Sequence, residues 1–157
     1  MSDVVVKPVK TRKEQKQFVE LPWRLYADDP NWMPPLRMVV KEMVGYKHHP
    51  FHDNAEVQTF VAYLGGEPVG RVAAIVNHEH HRHHREQRGF FGFYETIDDM
   101  NVTRALFDAA RAWFAEREIT KLRGPTNPSM NYECGLLIDG FDMPPTCMMA
   151  YNPPYYA

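Results

Sequence analysis

Seven consecutive residues, His78-Glu79-His80-His81-Arg82-His83-His84, hold five imidazoles. Neutral imidazole nitrogens bind zinc or nickel, and on a helix His80 and His84 would face the same way, so a metal-binding protein is one reading of this segment. The plainer reading is a solvated hairpin loop whose rings point in several directions. Glu79 is the only acid within the cluster and no cysteine is near, so no tight metal site is expected. A second imidazole group, His48, His49 and His52 with Asp53, reads as a surface loop, although it could join the first in space. Cys134 and Cys147 are the only cysteines, too few for a disulfide framework, and reduced thiols are expected. A nucleophilic Cys134 needs a base, and no histidine is close to it in sequence.

These residues are placed by a recognisable series of elements. Val4–Val9 reads as a short strand. Thr11 with Glu14 three residues later is a capping-box pattern, and Phe18, Leu21, Leu25 and Tyr26 recur at helical spacing. Pro22 should kink or divide that helix. Asp28 to Pro35 is a turn-rich break, and Leu36 to Tyr46 is a second short amphipathic helix ended near Gly45. Glu56–Leu64 and Pro68–Val76, joined at Gly65-Gly66, form the clearest hairpin. A polar stretch from Asn77 to Arg88 leads to the aromatic strand Gly89–Glu95, in which Gly92 marks a bulge or a close approach of another backbone. Asp98 or Asp99 caps the best helix, to about Arg117, with Val102, Leu106, Ala109, Ala110, Trp113 and Phe114 on one face. Lys121–Gly124 begins another strand, and Thr146–Tyr151 reads as the last.

Composition narrows the classes. The chain has 157 residues, 44% of them hydrophobic and 24% charged, which is the profile of one folded domain with its own core. A formal net charge of −2 gives no electrostatic support for a nucleic-acid partner. The first sixteen residues are charged and lack the apolar run of a signal peptide, and no run approaches a membrane span, so a cytoplasmic protein without a membrane partner is expected. Thr146 to Ala157 is apolar and aromatic, where chain ends are more often polar. The reading is a single domain over 1–157, incomplete at its C-terminal end.

The order helix, helix, hairpin, aromatic strand, long helix, short strand resembles the N-terminal and central parts of the GNAT superfamily, the acyl-CoA-dependent N-acyltransferases. Phe60–Ala74 is similar to that superfamily's second and third strands, Gly89–Glu95 to its fourth and Asp99–Arg117 to the helix that follows. The segments Leu21–Tyr26, Gly124–Pro128 and Cys134–Leu137 more closely resemble a bacterial group of uncharacterised, longer GNAT-like proteins. The resemblance implies an α/β (α+β) fold with a mixed, mainly antiparallel sheet flanked by helices. It implies acetyl-CoA or another acyl-CoA as donor and a small-molecule or peptide amine as acceptor. Backbone groups of Phe93, Tyr94 and Glu95 would hold the acyl carbonyl, and the segment through Thr96, Ile97, Asn101, Val102 and Arg104 would hold the rest of the cofactor. Glu95 would be the general base, its pKa raised by aromatic neighbours, and Tyr132 would protonate the leaving thiolate, with Asn131 beside it.

In that superfamily the cofactor's pyrophosphate sits on a glycine-bearing loop at the helix N-terminus, where free N–H groups and the helix dipole attract an anion. Here the loop Glu95–Val102 has no glycine and carries Asp98 and Asp99. At a few ångströms each carboxylate costs roughly 1–4 kcal/mol against a phosphate, so weak acetyl-CoA binding is expected. A non-catalytic GNAT-derived binding or regulatory module is the alternative that this loop favours. A homodimer, or a C-terminal half carrying the cofactor loop, would complete the protein.

Overall fold

The computed structural model describes residues 3–156. Its main sheet has five strands in the order β1 (Val5–Pro8), β2 (Ala55–Leu64), β3 (Glu67–Asn77), β4 (Gly89–Thr96) and β5 (Leu122–Arg123). The first four are antiparallel neighbours and β5 lies parallel to β4. The expected hairpin is β2–β3, with Gly65 and Gly66 both at positive φ (59° and 87°) in the turn.

The two faces of the sheet follow from the period-two alternation of β2 and β3. On one face Phe60, Ala62, Val72, Ala74 and Val76 meet α4 (Met100–Ala115) through Val102, Leu106, Ala110 and Phe114. Those four lie four residues apart on one stripe and are fully buried, the larger ones contributing about 1.5–3 kcal/mol each. On the other face Val61, Ala73, Ile75, Phe90 and Phe93 pack with Phe18 of α1 (Arg12–Leu25) and with Val44, just after α2 (Arg37–Met43).

α1 starts on the expected capping box, with both Thr11 and Glu14 bonds present. It is not divided at Pro22, and the reason is tertiary. Pro22 sits in the last turn and has no N–H for the carbonyl of Phe18 four residues back. Nη1 of Arg71, reaching across from β3, donates to that carbonyl at 2.7 Å. The orphaned acceptor is satisfied, so the helix continues to Leu25.

β4 carries the expected irregularity. Arg71 pairs with Glu95 and Ala73 with Gly92, so two steps along β3 oppose three along β4. The extra residue is a bulge, and Phe93 within it has φ of 50°. Gly92 is required sterically, because a Cβ there would overlap the backbone carbonyl of Thr126. Thr126–Asn127 (β6) pairs with Glu133–Cys134 (β7) in a small second ladder beside the bulge.

Two further expectations are corrected. The histidine segment is a short helix, α3 (His78–His84), not an irregular loop, because Oδ1 of Asn77 accepts the N–H of His80 and caps it. Thr146–Tyr151 is not a strand. The N–H of Met149 returns to the carbonyl of Thr146 at 3.2 Å and Met148 has φ of 61°, which closes a turn where extended backbone was expected. Among the described residues no helix is long and apolar enough to cross a membrane.

Candidate active site

The bulge delivers Glu95 to the wall of a cavity of about 550 Å³, within the range of small-molecule sites. Trp32, Val39, Met43, Leu136, Met148 and Met149 make much of the wall, and Arg71, Asn127, Tyr132 and Glu133 supply polar groups. Tyr26, the residue that ends α1, donates its hydroxyl to Oε2 of Glu95 at 2.7 Å. Tyr156, in a short 3₁₀ turn (Pro154–Tyr156), donates to the same oxygen at 3.1 Å.

Burial pushes the Glu95 carboxyl up to about 7. The Arg71 charge and the two tyrosine hydroxyls work in the opposite direction, and the Glu133 charge adds to the upward shift. Burial raises Glu133 too, against the hydrogen bond from Nδ2 of Asn127 at 2.7 Å. The phenols of Tyr26 and Tyr156 are held far above their ordinary value, first by burial and then by the Glu95 charge, so both remain donors. Arg71 is nearly inaccessible, its guanidinium lies 4.9 Å from the Phe18 ring centre, and among the described residues its Nε is buried without a partner. The chemistry on offer is a carboxyl that changes charge near neutral pH at the polar end of an apolar chamber. Such a group takes a proton from an amine.

The structure brings Glu95, Tyr132, Phe93 and Tyr94 to this one cavity. Tyr132 packs edge-on against His49 and Phe51. Asn131 lies elsewhere, on a polar groove with His80, His83, His84 and Glu86. The N–H of Phe93 is already donated to Oδ1 of Asn127 at 2.6 Å.

Thr96 and Ile97 line a smaller cavity of about 280 Å³ at the start of α4, which shares Tyr94, Pro125, Leu136 and Tyr156 with the larger one. Asp98 and Asp99 are on its wall. Oδ1 of Asp99 accepts the N–H of Asn101 at 2.8 Å, and its carbonyl takes the N–H groups of Val102 and Thr103. Asp99 thus engages the N–H groups of Asn101, Val102 and Thr103, and with the Asp98 carboxylate beside it this end of α4 is a poor fit for a diphosphate. The side chain of Val102 is in the core, and Arg104 is exposed.

Among the described residues no three histidine, cysteine, aspartate or glutamate side chains are placed to hold an ion. Nε2 of His80 is bonded to Glu86 at 2.8 Å, and Nε2 of His52 to the carbonyl of Glu42 at 2.8 Å. Cys134 and Cys147 are free and exposed.

Sequence reasoning missed Arg71, Tyr26, Tyr156 and Glu133. One signal was available for Arg71, a charged residue in the middle of an otherwise apolar strand, Val69–Val76. The tyrosines had none, since they lie 69 and 61 residues from Glu95.

No protein-family model matches the chain. Over 155 residues, 98% of the chain, it is 43% identical to a protein named bacterial ceramide synthase from Caulobacter vibrioides (strain NA1000 / CB15N). Over 153 residues, also 98%, it is 39% identical to Protein YghO of Escherichia coli (strain K12). The chain spans 40% and 39% of the length of these curated relatives. Among solved structures it resembles a tandem GNAT protein from the clavulanic acid biosynthesis pathway. The TM-score is 0.59 at 17% identity, over 81% of this chain and 38% of that one. It also resembles AAC(6')-Iy in complex with the bisubstrate analogue CoA-S-monomethyl-acetylneamine, with a TM-score of 0.54 at 14% identity over 83% of this chain and 84% of that one. The chain has the GNAT fold, with a mainly antiparallel sheet flanked by helices.

Proposed function

We propose that this chain is the acyl-transfer unit of an N-acyltransferase that joins an acyl thioester to the amine of a long-chain amino alcohol. The observation that carries the reading is Glu95, a carboxyl held near 7 on the wall of a largely apolar cavity. The GNAT fold supports acyl transfer from a thioester, and the relative named ceramide synthase supports the acceptor class, because a ceramide is the amide of such an amino alcohol.

The amine nitrogen attacks the thioester carbonyl carbon and a C–N bond forms. Glu95 takes the proton that the nitrogen sheds. The C–S bond then breaks, and the proton is delivered to the departing sulfur, with Tyr132 on the same cavity wall assigned to that delivery. Products are an amide and a free thiol. The methionine-rich wall accommodates an alkyl chain without a fixed shape. The donor's phosphates are not assigned to α4, whose first turn Asp99 occupies.

The test is mass-spectrometric detection of the amide from sphinganine and palmitoyl-CoA. Glu95→Gln should slow its formation by about 100- to 10,000-fold. The rate for the parent should rise with pH through about 7, as Glu95 becomes the carboxylate. A parent that makes no amide, or a Glu95→Gln variant as fast as the parent, refutes the reading. The engaged first turn of α4 favours one other reading, a GNAT-derived module that binds the amine without turnover. It predicts amine binding by calorimetry with no amide formed.

A further inference from the structure

Glu95 has two oxygens, and the fold treats them differently. Both tyrosine hydroxyls go to Oε2. Among the described residues Oε1 accepts no hydrogen bond, and it is not one of the polar atoms sealed from solvent without a partner. It therefore opens on the cavity that Glu95 lines.

We propose that Tyr26 and Tyr156 are positioning residues: by both donating to Oε2 they lock the Glu95 carboxylate so that Oε1 alone meets the incoming amine. The inference rests on the acyl-transfer reading of the site and adds to it the device that aims the base.

Each arm of this clamp is itself fixed. The Tyr26 ring is stacked on Trp32, with centres 5.1 Å apart, and tilted against Tyr151. The Tyr156 ring is tilted against Tyr94 at 5.0 Å, and its oxygen accepts the N–H of Thr96 at 2.6 Å. Among the described residues Tyr26 has Glu95 as its one acceptor at 2.7 Å, and Tyr156 has Glu95 at 3.1 Å as the nearer of two, the carbonyl of Thr96 lying at 3.4 Å. Two such donors from separate elements remove the carboxylate's freedom to rotate about its last torsion. Without them the carboxylate plane turns more freely, and the base spends part of its time with neither oxygen aimed at the amine. The other charged groups facing Glu95 are Arg71 from β3 and Glu133 from β7. Arg71 gives its Nη1 to Phe18, and Glu133 accepts from Asn127, so neither provides the clamp's hydrogen bonds.

The test uses Tyr26→Phe, Tyr156→Phe and the double variant, which keep both rings and remove only the hydroxyls. Two readouts are needed. The first is kcat and KM for amide formation from sphinganine and palmitoyl-CoA across pH. The second is the carbon-13 titration of the Glu95 carboxyl without substrate, assigned by its loss in Glu95→Gln. Each single variant should lower kcat by about 10- to 100-fold with KM within about twofold, a misaimed base costing rate more than binding. Each should also move the carboxyl midpoint upward, because the lost donors favoured the charged form. Thermal unfolding confirms that the variants fold. If the parent turns over and Glu95→Gln does not, yet both phenylalanine variants keep the parent's kcat and midpoint, the clamp is refuted and acyl transfer stands. A fall in kcat with no midpoint change also refutes it. A parent that forms no amide overturns both.

Discussion

Removing Arg71 should cost less stability once Pro22 is gone. The fold links the two residues through one atom, the carbonyl oxygen of Phe18, which Pro22 cannot serve and Arg71 does at 2.7 Å. Arg71→Met leaves that carbonyl inside the protein without a donor, at about 1–3 kcal/mol, besides losing the guanidinium over the Phe18 ring. In a Pro22→Ala background the alanine N–H stands where the helix expects it, and the carbonyl stays paired when Arg71 is replaced. The two substitutions should therefore couple by about 1–2 kcal/mol, the double variant being more stable than the sum of the singles allows. Loss of the Arg71 charge beside Glu95 occurs in both arms of the cycle and cancels. Urea unfolding of the four proteins at one pH, with a common denaturant dependence, measures the coupling. Additivity within about 0.5 kcal/mol would falsify the argument that Arg71 substitutes for the missing proline N–H.

The raised Glu95 carboxyl makes stability depend on pH. Between the unfolded value near 4.5 and the folded value of about 7, the folded state holds a proton that the unfolded state has lost. Stability therefore falls as pH rises through that window, by on the order of 3 kcal/mol, and Glu95→Gln should flatten the fall in denaturation midpoints between pH 4.5 and 8. Gly92→Ala forces a Cβ into the backbone carbonyl of Thr126 and should cost more than the roughly 1–3 kcal/mol of ordinary overpacking; an unchanged unfolding midpoint would contradict the close approach. Replacing Asp98 and Asp99 by asparagine keeps a capping side chain and removes repulsion, so acetyl-CoA should bind about 5- to 30-fold more tightly by titration calorimetry, and equal affinity would show that the aspartates are not the obstacle. Zinc should dialyse away from the parent, and His80→Ala with His84→Ala should change nothing in its metal content. Stoichiometric zinc retained by the parent and lost in that variant would reverse the account of α3.

The amino-acid sequence by itself determined what depends on near neighbours in the chain. The Thr11–Glu14 box, the Asp99 cap, the Gly65-Gly66 turn and the stripe Val102, Leu106, Ala110, Phe114 each act over a few residues, so periodicity and turn chemistry read them directly. Gly92 marked a close approach, though not what approaches, because the Thr126 carbonyl arrives from 34 residues further on. The same limit governed the site. Glu95 was legible as the last residue of an aromatic strand in a recognisable order of elements. Its two tyrosines, Arg71 and Glu133 were not, because they converge from the end of α1, the middle of β3, β7 and the turn at Pro154–Tyr156. Only the tertiary structure decided that Pro22 is tolerated in a helix, that Asn131 faces the histidines, and that Oε1 of Glu95 is left open. The first and the last of those outcomes turn on hydrogen bonds whose donor and acceptor lie far apart in sequence, and such a bond has no local period to betray it.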